Sequence, residues 1–321
     1  MNLVNSVLGV MILALLVLVG YRAGQLFIDA SSPHILETNH TKFTLPPESS
    51  YSLTLRWNHS PLKVYIDTSS LSNPKYADDF KNALNIWSST EKILSFSITN
   101  NRSDADISVE WVSSLGSKST DTLGNTDVKF VNTSTFNVIQ NAHIQLLTKS
   151  NSDRLAGIDM TNLALHEIGH AIGLNHSADE VDVMYPVLNV PSSQVKQITQ
   201  SDLQKLSTAY SSPAKPDLVA TNAEVTKFTV RKLTTYYYAN MTMTILNNGL
   251  TDSTPTSFLI KADGSNVKQL DISAIPIGDR LNIELGNLNI DHNFKSIEIV
   301  LDPNNSVDEL NESNNVVDIM T

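Results

Sequence analysis

The sequence predicts an α+β domain, a twisted mixed sheet of about five strands plus three helices. An all-β sandwich follows it, and a transmembrane or signal helix precedes it. Three observations carry this prediction. Between residues 53 and 147, short runs of alternating apolar residues surround one amphipathic helical stretch. From Leu163 to Leu174, apolar residues recur at helical spacing. Beyond Ser211-Ser212-Pro213-Ala214-Lys215-Pro216, candidate strands alternate with Asn-Gly, Asp-Gly and Gly-Asp turns over about 100 residues.

The chain has 321 residues, enough for two domains, and its composition is that of ordinary globular protein. A formal charge of −11 argues against a nucleic-acid partner. There are no cysteines, which excludes disulfides and thiolate metal sites. Residues 1–26 hold an uncharged, strongly apolar run reaching Arg22, about as long as a membrane span requires. No Lys or Arg precedes it and no A-x-A site follows, so a signal anchor is favoured over a cleaved signal peptide. Residues 27–50, with Ser-Ser-Pro and Pro-Pro, read as a linker or short pro-segment.

The first domain is expected over 51–212. Leu53-Leu55-Trp57 alternates, and Leu62 to Ile66 reads as a strand. Tyr76 to Ser88 is an amphipathic helix with Phe80, Ala83, Leu84 and Trp87 on one face. Ile93–Ile98, Asp106–Val112, Thr126–Val131 and Ala142–Leu147 complete the strands.

The next stretch carries the chemistry. Leu163 to Leu174 reads as a helix, with Thr161 or Asn162 as its N-cap. His166 and His170 then lie one turn apart on one face, so their imidazoles converge. Glu167 is displaced by about 100° and sits beside a metal rather than on it, where a carboxylate takes a proton from bound water. His176 lies beyond helical reach, but Gly173 can take a left-handed conformation and turn the chain back. Three nitrogen ligands leave one position open for water, the arrangement of a catalytic Zn2+. Requiring the glycine and third histidine besides H-E-x-x-H lowers the chance rate about a thousandfold.

His166-Glu167-Ile168-Gly169-His170-Ala171-Ile172-Gly173-Leu174-Asn175-His176 is similar to the metzincin signature H-E-x-x-H-x-x-G-x-x-H. Asp182-Val183-Met184-Tyr185-Pro186 resembles the Met-turn of its matrixin branch. Thr199-Gln200-Ser201-Asp202-Leu203-Gln204-Lys205-Leu206 resembles the start of that family's short C-terminal helix. The resemblance implies one catalytic zinc on His166, His170 and His176, with Glu167 as general base. It implies Met184 as the hydrophobic floor, and Tyr185 and Pro186, with Val187 and Leu188, walling a substrate pocket. The apolar members of that segment read equally well as core. An edge strand, Asp127–Val131, would pair with the substrate backbone. His143 offers a second zinc no partners in sequence and reads as a strand residue. Asp202 reads as a favourable charge at a helix start. Many matrixins are held latent by a propeptide cysteine, which this chain lacks.

The second domain is expected over 213–321. Its candidate strands are Leu218–Val225, Tyr236–Leu246, Phe258–Ala262, Leu281–Leu285 and Lys295–Leu301. Pro216-Asp217-Leu218, Asn247-Asn248-Gly249 and the Asp/Asn/Glu-rich stretch 302–315 resemble CARDB modules, immunoglobulin-like sandwiches of prokaryotic surface proteins associated with adhesion. That stretch supplies oxygen ligands suited to Ca2+, although a polar turn framing the last strand accounts for it as well. Leaving aside Asn175 within the histidine motif, N-x-S/T sites at seven asparagines, from Asn39 to Asn311, suit an exported chain.

The expectation is an extracytoplasmic zinc-dependent endopeptidase acting on protein or peptide, anchored in the membrane by its N-terminal helix or secreted. Its C-terminal domain would bind cell-surface protein or glycan. The alternatives are a surface adhesion protein whose metallopeptidase domain is inactive, and a zinc-dependent binding module without turnover.

Overall fold

The computed structural model describes residues 34–38, 43–44 and 54–321, apart from 70, 72, 91, 116–121, 151–152, 156, 232 and 234. The expected membrane or signal helix at 1–26 lies outside the described residues. Among those residues, no helix is long and apolar enough to cross a membrane. Two compact units form. One comprises the described residues of 43–217 with 248–252, and the other those of 34–38, 218–247 and 253–321.

The strands of the first unit are β2 (Phe43–Thr44), β3 (Thr54–Arg56), β4 (Leu62–Ile66), β5 (Phe96–Thr99), β6 (Ile107–Val112), β7 (Gly124–Asn132) and β8 (Phe136–Leu147). They make one mixed sheet of order β2-β7-β8-β6-β4-β5, with β3 pairing β8. The five expected strands are all there. The two additional ones are short, and β3 lies within the alternating run Leu53-Leu55-Trp57. β2 falls within the expected linker, where two residues pair antiparallel with Lys129 and Phe130 of β7. The expected edge strand is therefore covered at those two positions. A short hairpin, β9 (Lys149–Ser150) and β10 (Asp153–Arg154), leads out of β8.

Helices α1 (Lys75–Thr90), α2 (Ile158–Ala171) and α3 (Gln200–Ala209) complete the unit. In α1 the predicted stripe of Phe80, Ala83, Leu84 and Trp87 is buried. Helix α2 is covered on nearly every side, because the core closes around it. All three tryptophans of the chain are buried with their indole N–H groups on α2. Trp57 donates to Ala171 O at 2.8 Å, Trp87 to Leu165 O at 3.0 Å, and Trp111 to Met160 Sδ at 3.4 Å. A large apolar body with one polar handle suits this work, filling the core while fixing the height and rotation of the helix.

The predicted start of α2 is corrected. It begins at Ile158, and its N-cap is Gly157 at φ +56°, with no side-chain cap. Thr161 and Asn162 lie buried inside the helix. Asn162 is spent on tertiary bonds instead, donating to Gln194 O and accepting from Lys196 N.

The other unit holds β1 (His34–Thr38), β11 (Leu218–Arg231), β12 (Thr235–Asn247), β13 (Thr256–Ala262), β14 (Ser265–Ile272), β15 (Arg280–Ile290), β16 (Ser296–Leu301) and β17 (Val316–Met320). These form two four-stranded antiparallel sheets, β1-β15-β12-β11 and β14-β13-β16-β17. Inward residues of the two sheets, among them Met241, Met243, Ile245, Phe258, Ile260, Ile283, Leu285 and Ile299, share one core. Strands β14 and β17 were not anticipated, because most of their residues are exposed or half-buried and give little apolar alternation. In the acidic stretch, buried Asp302 accepts hydrogen bonds from Thr256, Ser306 and the Val307 N–H. Buried Glu309 accepts from Leu218 N and Asn315 Nδ2. Both carboxylates hold turns that frame the last strand.

Candidate metal centre

Two turns of α2 bring His166 and His170 together, and the chain then reverses. Gly173 adopts φ +98°, as its place after the helix led us to expect, and its N–H donates to His170 O at 3.0 Å. A Cβ there would lie 2.1 Å from Leu55 O, so glycine is required for space as well as for backbone angle. The reversal carries His176 to the other two histidines. The three Nε2 atoms stand 3.1, 3.2 and 3.3 Å apart.

The His166 and His170 Nε2 atoms are not hydrogen-bonded to each other. His166 Nδ1 is 2.9 Å from Val183 O, and His170 Nδ1 is 2.9 Å from Leu174 O. A carbonyl only accepts, so each Nδ1 carries the proton and each Nε2 presents a lone pair. Lone pairs face one another in a small space, an arrangement that favours a cation at its centre. Four-coordinate zinc with Zn–N of about 2.0–2.1 Å places its nitrogens about 3.3 Å apart, close to the spacing here. The residues fit the ion. Burial, ahead of the opposing Val183 carbonyl bond, holds His166 down at about 4. Burial and then the neighbouring His166 hold His170 at about 3. Both imidazoles are therefore neutral, as ligands must be. Among the described residues these three form the one cluster of metal-binding side chains.

Glu167 is 4% exposed and turns toward β7. Thr126 Oγ1 lies 2.7 Å from its Oε2 and 3.1 Å from its main-chain O. Met184 is fully buried beneath the helix, and a Cβ at Gly169 would stand 2.2 Å from its sulfur. Met184 O accepts from Ser177 N, which ties the turn to the end of the histidine segment.

Asp202 does more than its expected charge role. It closes a capping box with Thr199 and also accepts the Val183 N–H at 3.0 Å, fixing the main chain next to Met184. Asp182 is buried nearby and bonded to the Ser177 and Thr199 hydroxyls. Hydroxyl bonds outweigh the upward push of burial and hold its carboxyl below the usual range. The sequence signal available for Asp202 was the T-x-x-D spacing of a capping box; nothing local marked its reach to Val183. Of the predicted pocket residues, Tyr185 is half-buried with Lys196 Nζ 5.8 Å from its ring centre, and Pro186 is exposed. Val187 is exposed, whereas Leu188 packs on the core. His143 lies on β8 between Ser108 Oγ, 2.9 Å away, and Glu110 Oε1, 3.2 Å away.

Comparison with known proteins follows the same division. Residues 56–211 match the family described as Matrixin, and residues 215–318 match CARDB. Karilysin of Tannerella forsythia is 30% identical over 137 residues, which is 41% of this chain and 29% of that protein. Matrix metalloproteinase-26 of Homo sapiens is 28% identical over 148 residues, 44% of this chain and 53% of that protein. Matrilysin of Felis catus is 34% identical over 59 residues, 18% of this chain and 22% of that protein. The chain thus spans about half or less of the length of these curated relatives. A domain of a Methanosarcina acetivorans protein solved in solution is 28% identical and covers 33% of this chain and 90% of its own, with a TM-score of 0.27.

Proposed function

From a chain that joins a matrixin domain to a CARDB domain, we propose an extracytoplasmic zinc-dependent endopeptidase. We place its peptidase domain at 51–212 and its sandwich at 213–321. The observation that carries the reading is the set of three Nε2 atoms at 3.1–3.3 Å, with the Nδ1 protons of His166 and His170 committed to carbonyls. The family match and the names of the relatives support a zinc metallopeptidase in general.

His166, His170 and His176 would hold the ion, and the Val183 and Leu174 carbonyls keep two of the rings aimed. Bound zinc supplies a water acidified towards a pKa of about 7 and polarises the scissile carbonyl. Glu167 takes the proton of the attacking water at its carboxylate and delivers it to the departing amine. Met184 and Gly169 support the helix beneath the histidines, and Asp202 holds the turn that carries Met184. Pro186 and Val187 are exposed and free to line a pocket for a substrate side chain. The 124–128 edge of β7 offers main-chain groups to an extended peptide. The sandwich would hold a cell-surface protein or glycan, and the N-terminal segment would anchor the chain at a membrane.

The test is zinc content and casein cleavage by the full chain, as wild type and as Glu167→Gln. One zinc in each, with cleavage reduced at least a hundredfold in the variant, is the expected result. Zinc in both with no cleavage by either would favour an adhesion protein with an inactive peptidase domain. Folded protein that takes up no zinc would overturn the reading altogether.

A further inference from the structure

We propose that strand β7 positions the general base: the Thr126 hydroxyl tethers the Glu167 carboxylate, and the absent side chain at Gly124 makes its slot. The inference rests on the peptidase reading above. Thr126 Oγ1 has one proton and two acceptors within reach, Glu167 Oε2 at 2.7 Å and Glu167 O at 3.1 Å. The carboxylate oxygen is the nearer of the two, so it takes the bond. Two residues away on the same face of the strand, a Cβ at Gly124 would lie 2.3 Å from Oε1, 2.7 Å from Cδ and 2.8 Å from Cγ. The carboxylate is thus held at one oxygen by a donor and admitted at the other by a missing methyl.

Both positions are rigid. Gly124 pairs with Leu146 and Thr126 with Ile144 in the antiparallel ladder of β7 and β8. A glutamate has three rotatable bonds, and proton transfer requires heavy atoms within about 2.6–3.2 Å. Fixing the carboxylate from a neighbouring strand removes most of its freedom before substrate arrives. Thr126 acts only through the Glu167 carboxylate it holds, which makes it a positioning residue. Because β7 is also the strand proposed to pair with an extended peptide, one strand would align both the substrate backbone and the base that serves it.

The test uses the full chain with Thr126→Val, Thr126→Ser and Gly124→Ala, each also in a Glu167→Gln background. Three quantities are measured: zinc per chain, kcat and KM on labelled casein, and the Kd of acetohydroxamate by calorimetry. Acetohydroxamate chelates zinc and offers a proton to a correctly placed carboxylate. Thr126→Val is expected to keep its zinc and KM, lose about tenfold in kcat, and bind acetohydroxamate about threefold more weakly. Thr126→Ser restores both, and Gly124→Ala matches or exceeds the valine loss. In the Glu167→Gln background Thr126→Val lowers nothing further. Wild-type kcat and hydroxamate affinity in Thr126→Val would overturn the proposal, as would an equal further loss in the Glu167→Gln background. Cleavage by wild type with all three substitutions silent refutes the tether and spares the peptidase. A hydroxamate pattern as expected, without cleavage by wild type, does the reverse.

Discussion

Replacing Gly173 by alanine tests the link between fold and site most directly. At φ +98° an L-residue is strained, at a cost of about 1–2 kcal/mol. The new Cβ would also stand 2.1 Å from Leu55 O and 2.9 Å from Leu55 C. That carbonyl cannot simply retreat. Leu55 pairs with Asn137 in the sheet, and Trp57, two residues on, is bonded to Ala171 O at 2.8 Å. Overpacking of this kind costs a further 1–3 kcal/mol or so. The sum is about 2–5 kcal/mol, or a fall of about 5–15 °C in Tm for a domain of this size. The chain can relieve the strain by swinging the turn outward, and His176, three residues on, moves with it. The cost then shows as lost chelation, with zinc affinity reduced at least tenfold. Urea unfolding in EDTA reads the first quantity and competitive zinc titration the second. Stability within about 1 kcal/mol of wild type, together with zinc affinity within twofold, would refute the reasoning.

Met184→Leu should cost less than about 1.5 kcal/mol, because it nearly conserves volume, whereas Met184→Ala should cost about 2–5 kcal/mol by opening a cavity beneath Gly169; equal unfolding midpoints for the two would contradict this. His166 at about 4 and His170 at about 3, against 6.5 when free, give the zinc-free protein an acid-sensitive site. As pH falls below 6.5 the unfolded chain takes up protons that the folded one refuses, so stability is lost progressively from pH 6.5 down to about 3. Urea midpoints in EDTA between pH 6.5 and 5 should therefore slope downward, and a His166→Gln, His170→Gln chain should show a flatter profile. In the loaded protein, zinc should be lost as pH falls to about 4 and below, since protons then compete for the same nitrogens.

Several features followed from local pattern alone. The turn-to-turn spacing of His166 and His170, the glycine that reverses the chain, and His176 beyond it are written within eleven consecutive residues, so their convergence needs only helix geometry and one left-handed turn. The same holds for the buried stripe of α1 and the alternating strands β4, β6, β12, β13, β15 and β16, whose periodicity is visible within each segment. The start of α2 was misplaced because polar Thr161 and Asn162 resemble caps locally, while Asn162 finds its partners at Gln194 and Lys196, more than thirty residues away in sequence. Strand β2 is too short to show a period, and β14 and β17 lack strong apolar alternation, so partner strands define all three.

The placement of Glu167 divides in the same way. The sequence determined that a carboxylate stands beside two histidines on a helix. Only the tertiary structure decided that Thr126 holds it and Gly124 admits it, from a strand about forty residues earlier. A helix fixes the direction in which a side chain leaves the backbone, but the rotamer at its end is chosen by what packs against it. In this protein that choice belongs to the sheet.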